Sequence, residues 1–398
     1  MNTSIPDFEF LPIDFFDNNS ISFQHNSNPL VSIIIPVYNQ LSYTLNCLYS
    51  IKRVCSGIDY EIILINDNST DDTKEYLDRI NGIHVIHNEV NLGFLKNINN
   101  GVKASKGEYV LLLNNDVIVL PRLLEELLVV FKDQECVGAV GGMAIHPSGV
   151  ILEAGSVLLA NGGAVNIGRE FFPDDPRYHF LKRMDYCSGC CLLLKRNLPD
   201  NTLVQLDELF LPAYYEETDL CMQLKHKFNL DVYYQPFAKI IHFESISYNA
   251  EDQERKQGLI DNNRIKFYNK WKAVFSQEPY GLKLNTNYLN KDYIGKCEVY
   301  LEDYLTDDVL NEIGGKDTIR HKVIVVLKTR DSLKEEKIIE LQKQGVEVLF
   351  PFITKNKRKK SFSSMLKYAF GISDVVYTKN PFYYSLFFII KLKIKAFG

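Results

Sequence analysis

Three apolar runs in the first third of the chain each stop abruptly at side-chain oxygens: VSIIIPVYN at 31–39, EIILINDNS at 61–69 and YVLLLNNDV at 109–117. Runs of this length, separated by helical patterns, read as buried parallel strands. In an open parallel sheet, ligands bind beyond the carboxyl ends of the strands. Asn39, Asp67, Asn114 and Asp116 are therefore expected on one rim. Two carboxylates among several amides form a site for a cation and a polar ligand.

From 31 to about 145 the pattern alternates. Strands are expected at 31–37, 61–66, 83–87, 109–113 and 137–142, with helices at 42–54, 71–80, 94–104 and 121–132. Such alternation specifies a parallel sheet with right-handed crossovers. Ser69 or Thr70 is the expected cap of the second helix, with Asp71 and Asp72 in its first turn. After 145 the register loosens through Gly-rich turns and a loop, REFFPDDPRYH, at 169–179. A strand follows at 190–194, then a long loop into YYEETDLCMQLKHKF, where Glu216, Glu217 and Asp219 open a helix. Strands at 231–235 and 238–242 carry the chain to His242. Residues 276–320 read as connector helices and loops. A second start at 321 gives strand, helix, strand, then a further strand and helix at 373–392. That unit has too few strands for a complete doubly wound domain, and it reads as incomplete.

At 398 residues the chain is long enough for two domains. Its 46% hydrophobic and 24% charged fractions are those of an ordinary globular protein. A formal charge of -5 gives no reason to expect nucleic-acid binding. The acidic start MNTSIPDFEF lacks the basic and apolar regions of a secretory signal. The eight cysteines are scattered in apolar patterns, as reduced thiols in a cytoplasmic protein would be. Cys187 and Cys190 have no second Cys or His pair at finger-like distance. No run reaches the ~18 to 20 apolar residues of a membrane span. The tail PFYYSLFFIIKLKIKAFG at 381–398 leaves two readings open: a helix in a membrane interface, or one packed on the second domain.

The run LLLNNDV offers one carboxylate and neighbouring amide oxygens on a rigid strand end. That is a hard-oxygen site for Mg²⁺ or Mn²⁺, completed by water and ligand phosphates. Asp67 can accept from a base or sugar. The segment NLGFLKNINNG at 91–101 places Gly93 where backbone can approach phosphate oxygens at a helix N-terminus. Together these residues describe a nucleotide-diphosphate pocket.

From about Val31 to Ser247 the sequence resembles the inverting GT-A glycosyltransferases of family 2, especially the bacterial rhamnosyl- and galactofuranosyl-transferase-like members that build surface polysaccharides. The motifs that carry the resemblance occur in the right order: VSIIIPVYN, IND, NLGF with Asn97, LLLNND, YCSGCCLLLKR, YYEETDLC and IIHFES. The resemblance implies an α/β GT-A fold, Rossmann-like, its sheet mostly parallel with helices on both faces, followed by the small α/β unit. The implied division is an N-terminal arm at 1–30, a GT-A domain at 31–275, a connector at 276–320 and the small unit at 321–398. That last unit resembles the opening of a GT-B domain.

By the same resemblance Pro36, Tyr38, Asn39 and Asp67 contact the nucleoside, and Asn91, Gly93 and Asn97 contact the donor. Asn114, Asn115 and Asp116 stand as the DxD element, with Asp116 on the metal and His242 helping to hold metal or diphosphate. Glu217 is the implied base, with Glu216 and Asp219 as supports. Two departures stand out: Asn114 where the first Asp of DxD is usual, and Glu217 where Asp is commoner. The implied cofactors are Mn²⁺ or Mg²⁺ and a UDP- or dTDP-sugar. The implied acceptor is a saccharide, free or lipid-linked, met at the inner face of the cytoplasmic membrane. A nucleotidyltransferase would show a Gly-rich, Arg-containing loop where this chain has PVYNQLSY. A degenerate, non-catalytic donor-binding domain is the remaining alternative.

Overall fold

A computed structural model describes residues 8–244, 250–277, 297–328, 335–353, 359–378 and 381–397. The chain divides into two compact units, one of Ser4–Glu170 with Met184–Glu278, the other of Phe171–Arg183 with Pro279–Gly398 and the first three residues.

The first unit opens with β1 (Val31–Val37), α1 (Leu41–Val54), β2 (Tyr60–Asn66), α2 (Thr73–Asp78), β3 (His84–His87), α3 (Phe94–Ala104) and β4 (Tyr109–Leu113). It continues with β5 (Val117–Val119), α4 (Leu123–Asp133), β6 (Val137–Ile145), β7 (Ile151–Glu153), β8 (Cys191–Lys195), α5 (Glu216–Phe228), β9 (Asp231–His242) and α6 (Ala250–Gln277). The main sheet runs β9, β6, β8, β4, β1, β2, β3. β1, β2, β3 and β4 pair in parallel, as do β6 and β9, whereas β8 is antiparallel to both its neighbours. Six of these seven strands therefore end on one rim, and β8 begins there.

The continuous apolar runs are explained by burial on both faces: Ile33, Ile34, Ile35, Ile63, Leu64, Leu111 and Leu112 are almost wholly inaccessible. α3 crosses β1 and β2 at Gly101, where a Cβ would overlap Ile34 Cγ2 and come within 3.1 Å of Ile65 Cδ1. At the N-terminus, Phe10 packs on Tyr43 and Phe15 on Tyr49.

Several expectations need correction. The expected strands 231–235 and 238–242 are one strand, β9, whose register against β6 breaks between Gln235 and Lys239. Pro236 lies in that bulge, where a missing N–H costs no ladder bond. β5 was not expected at all. Neither Ser69 nor Thr70 caps α2, which begins at Thr73 after Asp72. Instead Ser69 Oγ accepts the Asn39 N–H at 2.8 Å, and the Thr70 N–H goes to Asn39 Oδ1 at 2.8 Å.

The second unit contains β10 (Glu298–Glu302), α7 (Asp307–Ile313), β11 (Val323–Leu327), α8 (Glu335–Lys343), β12 (Glu347–Leu349), α9 (Phe362–Ile372), β13 (Val375–Tyr377) and α10 (Pro381–Phe397). Its four strands, ordered β12, β11, β10, β13, are all parallel. Alternation along β10 sends Val299 and Leu301 into a core with Phe370 and Phe387, and Tyr300 into the opposite one with Val309 and Ile338. Helices thus cover both faces. The expected connector 276–320 is corrected here, because it contains β10 and α7; residues 278–296 lie outside the described ones. The expected loop 169–179 is a loop with a single 3-10 turn at Pro176–Tyr178, and residues 171–183 cluster with this unit. Leu181 N donates to Gln342 O at 2.8 Å, and the Lys322 ammonium lies 4.0 Å from the Phe180 ring centre. In α10, Phe387 is buried while Phe382, Tyr384, Phe388 and Ile389 are exposed. No helix among the described residues is long and apolar enough to cross a membrane.

The Gly101 contact gives a first prediction. Gly101→Val is expected to lower stability by about 1–3 kcal/mol through overpacking between α3 and the sheet, read as a reduced urea midpoint.

Candidate active site

The rim is organised by a short antiparallel pairing. β4 ends at Leu113, the chain turns through Asn114, Asn115 and Asp116, and β5 then pairs with the end of β9 so that Val117 faces His242. The Phe243 N–H donates to Asp116 O at 3.0 Å and closes the arrangement. His242 Nε2 consequently lies 3.2 Å from Asp116 Oδ1 and 3.4 Å from Asn114 Nδ2. Asn115 Nδ2 donates to Thr44 Oγ1 at 3.0 Å, tying the turn to α1.

Asp67, at the end of β2, is almost fully buried. Its Oδ1 accepts from Leu92 N at 2.7 Å and Asn88 Nδ2 at 2.8 Å, and its Oδ2 from Gly93 N at 2.9 Å. A carboxylate offers about four acceptor positions, so one remains for a ligand. Gly93 has φ +79°, which favours glycine, and leads directly into α3. Asn97 is buried and accepts from Asn88 Nδ2 at 2.7 Å.

The acidic pair arrives on α5. Tyr214 and Tyr215 just before it both adopt left-handed backbone, φ 75° and 73°, a conformation that costs bulky residues energy and persists only where neighbours hold it. Asn263 of α6 supplies the hold, its Nδ2 lying 2.8, 2.9 and 3.0 Å from the carbonyls of Phe210, Ala213 and Tyr214. Tyr215 OH donates to Gly162 O at 3.1 Å.

Because β8 runs against its neighbours, its N-terminal lead brings backbone N–H groups to the rim. The Ser188 N–H donates to Glu153 Oε1 at 2.9 Å, and the Gly189 N–H donates to Glu217. Gly189 also leaves room, since a Cβ there would sit 3.7 Å from Glu217 Cβ and 3.6 Å from Phe94 Cζ.

These elements enclose a cavity of about 430 Å³. Pro36, Tyr38, Asp67, Asn97, Asn114, Asn115, Asp116, Glu216, Glu217 and His242 all line it. Burial raises Glu217 above the usual carboxylate range, with the Gly189 and Thr218 amides opposing. Burial, then the Glu217 charge, raises Glu216 well above that range. Glu216 Oε2 is buried without a hydrogen-bond partner. Burial thus favours the protonated form of both acids, and the Glu217 charge adds to that in Glu216.

Asp116 Oδ1 is likewise buried and lacks an aligned hydrogen-bond donor, although His242 Nε2 stands beside it. A hard cation fits this oxygen and imidazole. Among the described residues no three His, Cys, Asp or Glu side chains converge on one metal position. Mg²⁺ or Mn²⁺ there would need water and ligand phosphates to complete its shell.

Not every expected residue joins the cavity. Asp219 is fully buried on the other side of α5, where Oδ1 accepts from Trp271 Nε1 at 2.7 Å and Oδ2 from Lys270 Nζ and Gln223 Nε2, each at 2.7 Å. Residues two apart on a helix do not share a face, so Asp219 joins α5 to α6 and lies outside the cavity lining that Glu217 shares. Asn39 is likewise absent from the lining and braces residues 69–70, as described above. Asn91 is exposed outside the lining, and Gly93 acts through its N–H on Asp67. The structure adds Lys256 and Phe94 to the lining and Glu153 behind it. Glu153 ends an apolar run, GVILE at 149–153, the same signal that marked Asp67 and Asp116.

An α/β sheet whose strand ends gather acids, amides and an imidazole around one cavity offers a site for a polar ligand and a cation. Residues 32–199 match the family described as Glycosyl transferase family 2. The chain is 29% identical over 262 residues to the uncharacterized protein y4gI of Sinorhizobium fredii, covering 63% of this chain and 28% of that one. It is 34% identical over 103 residues to the glycosyltransferase GlyG of Streptococcus pneumoniae, covering 25% of this chain and 34% of GlyG. The matches thus span about a third of these relatives' length. A solved structure, the mannosyltransferase PcManGT of Pyrobaculum calidifontis in complex with GDP-Man and Mn²⁺, aligns with TM-score 0.41 and 15% identity over 60% of this chain and 64% of its own.

The buried carboxyls give a second prediction. Burial raises Glu153 from 4.5 to about 7, the Ser188 amide opposing and the Glu217 charge assisting. Between those values the unfolded chain has lost this proton and the folded chain keeps it. Stability is therefore full below the lower value and falls as pH rises through the upper one. The loss from this group is about 3 kcal/mol. Glu153→Gln is expected to remove that share of the slope when urea unfolding is compared at about pH 5 and about pH 8.

Proposed function

We propose that the chain is an inverting glycosyltransferase that moves a sugar from a nucleotide-diphosphate donor to a hydroxyl of a saccharide acceptor in bacterial surface polysaccharide synthesis. The observation that carries this reading is the placement of Glu217 and the Asp116–His242 pair on one cavity. The donor is a UDP- or dTDP-sugar, with Pro36, Tyr38 and the free acceptor position of Asp67 toward the nucleoside. Asn97, Asn114 and Asn115 lie toward the sugar diphosphate. A divalent cation bound by Asp116 and His242 would neutralise charge that builds on the diphosphate.

Glu217, ionised, accepts the proton of the acceptor hydroxyl as that oxygen forms its bond to the anomeric carbon. The bond from that carbon to the diphosphate oxygen breaks, and its electron pair leaves with the nucleoside diphosphate. One displacement inverts the configuration. A raised pKa suits this work, because a base near the working pH is both ionised and basic enough to draw the proton. Burial and the neighbouring Glu217 charge favour the protonated form of Glu216. Lys256 supplies a cation on the diphosphate side. The acceptor is a free or lipid-linked saccharide. The exposed Phe382, Tyr384, Phe388 and Ile389 of α10 would dock the protein on the inner face of the cytoplasmic membrane.

One observation favours a second reading: Asn114 stands where a carboxylate is usual, and among the described residues no three His, Cys, Asp or Glu side chains converge on one metal position. A non-catalytic donor-binding domain would bind nucleotide sugar and never turn it over with any acceptor.

Glu217→Gln is expected to lower kcat by roughly 10²–10⁴-fold, the usual contribution of a general base, while nucleotide-sugar binding by calorimetry stays within a few-fold. The wild-type rate should rise with pH through a midpoint above the ordinary carboxylate range. An unchanged mutant rate removes Glu217 from the role. Chelation by EDTA should abolish transfer and Mn²⁺ restore it, and Asp116→Asn should shift that requirement to higher Mn²⁺. Flotation with anionic vesicles should capture the wild type and lose Phe388→Ser/Ile389→Ser; equal capture would exclude docking by α10.

A further inference from the structure

The lead into β8 is held where no ladder reaches it. β8 begins its pairing with β4 at Cys191, opposite Leu113, so the backbone N–H groups of Ser188 and Gly189 lie beyond the sheet. An N–H drawn away from water without an acceptor is costly, and such groups in native folds are almost always paired. Glu153, the last residue of β7, takes the first of the two, its Oε1 accepting the Ser188 N–H at 2.9 Å. Cys187 fixes the segment from the side. Its Sγ donates to Tyr233 O at 3.5 Å, and its Cβ occupies the space that a Cβ on Gly141 of β6 would need. The N–H that follows, on Gly189, goes to Glu217.

Glu153 is almost wholly buried and lies outside the cavity lining, so it can act on a ligand only through another group. Two consecutive amides provide the route: Glu153 holds the first, and the second meets Glu217. Only the ψ of Ser188 lies between the two nitrogens, because the peptide that joins Ser188 to Gly189 is planar. Anchoring one nitrogen therefore restricts where the other can point. We propose that Glu153 is a positioning residue for Glu217: it anchors the Ser188 amide so that the Gly189 amide meets the Glu217 carboxyl and fixes its place in the cavity. The effect on rate rests on the reading of Glu217 as the base; the effect on placement does not.

This role needs an acceptor oxygen at the right reach and no charge. Either form of the Glu153 carboxyl presents an oxygen to the amide, and with burial raising the group to about 7 both forms are present near neutrality. Three substitutions separate reach from charge. Glu153→Gln keeps an acceptor at the same reach, Glu153→Asp keeps the carboxylate on a shorter arm, and Glu153→Leu keeps the bulk with no acceptor. The other titratable groups that face Glu217 among the described residues are Glu216 and Cys221 on its own helix, Tyr215 before that helix and Tyr186 before the lead; His242 and Cys187 face Glu153. All of them stay the same in these variants. The Gly189 amide opposes the effect of burial on Glu217, so losing that amide raises the Glu217 midpoint. Glu153→Leu and Glu153→Gln both lack the charge at 153, and the difference between them isolates the amide.

The test uses the full chain, first without substrate. Hydrogen–deuterium exchange at the Ser188 and Gly189 amides should quicken roughly ten-fold in Glu153→Leu and stay close to wild type in Glu153→Gln. The Glu217 carboxyl, followed by carbon NMR and assigned with Glu217→Gln, should titrate about half a pH unit or more higher in Glu153→Leu than in Glu153→Gln. With donor and acceptor present, Glu153→Leu should lower kcat roughly ten-fold with little change in donor KM, and Glu153→Gln should rescue the rate. If Glu153→Leu does not fold, Glu153→Asp takes its place and is compared with wild type, whose charge it shares. The proposal falls if the amides exchange as slowly in Glu153→Leu as in wild type, or if the two Glu217 midpoints coincide. It falls equally if Glu153→Asp keeps the rate that Glu153→Gln loses, since the charge would then be the working part. A wild type that turns over no donor while the exchange and titration results hold would end the transferase reading and leave the placement of Glu217 by Glu153 standing.

Discussion

A carboxylate carried to the rim of a buried sheet must either be surrounded by donors or keep a proton, because an unpaired charge away from water is costly. The rim of the first unit divides its acids along that line. Asp67 receives three donors and Asp219 three, one of them an ammonium. These two hold loops and helices in place. Glu153 has the Ser188 amide, Glu217 has its few backbone amides, and Glu216 Oε2 has nothing. Their affinity for protons rises accordingly. The donors withheld from these acids raise their affinity for protons, and the donors concentrated on Asp67 and Asp219 tie the surrounding backbone in place.

The antiparallel strand β8 is the structural means of that division. A sheet with every strand parallel presents only carbonyl-bearing strand ends at its rim. Reversing β8 places Ser188 and Gly189 there as a strand start, and their N–H groups reach Glu153 and Glu217. The β5 pairing with β9 does the corresponding work for Asp116 and His242, which are 126 positions apart in sequence yet adjacent by register.

The parallel strands were legible because burial on both faces erases polar alternation, leaving runs such as SIIIPV and EIILIN that admit few other readings. What the rim would do with its acids was less legible. β5 has three residues, too few for a pattern, and hides in the lead to α4. β10, in KCEVYLED, alternates over only three apolar positions, and a run of polar residues on either side makes it resemble a linker. Asp219 was readable in principle: a helix turns about 100° per residue, so an acid two positions after Glu217 faces away from it. Lys270 and Trp271, which claim it, lie half a hundred residues downstream, and only folding brings them there. Glu153 carried the same run-then-acid signal as Asp116 but stands on a strand too short to be recognised. The second unit's reversal of strand order is a property of topology alone and leaves no local trace.

The family match ends at residue 199, whereas Glu217 lies beyond it and the amide that clamps its approach is at 263. The matched segment supplies the strands, the Asp67 loop and the Asn114–Asp116 turn, all on the donor side under the proposed reading. The remainder, α5 through α6, supplies the base, the left-handed tyrosines and Lys256. α6 reaches α5 twice, through Asn263 on the loop before it and through Lys270 and Trp271 on Asp219. Displacement of α6 would move Glu217 relative to Asp116 without touching a strand. Under the proposed reading, the distance between base and leaving group, which a displacement reaction needs held closely, is thus set by α6.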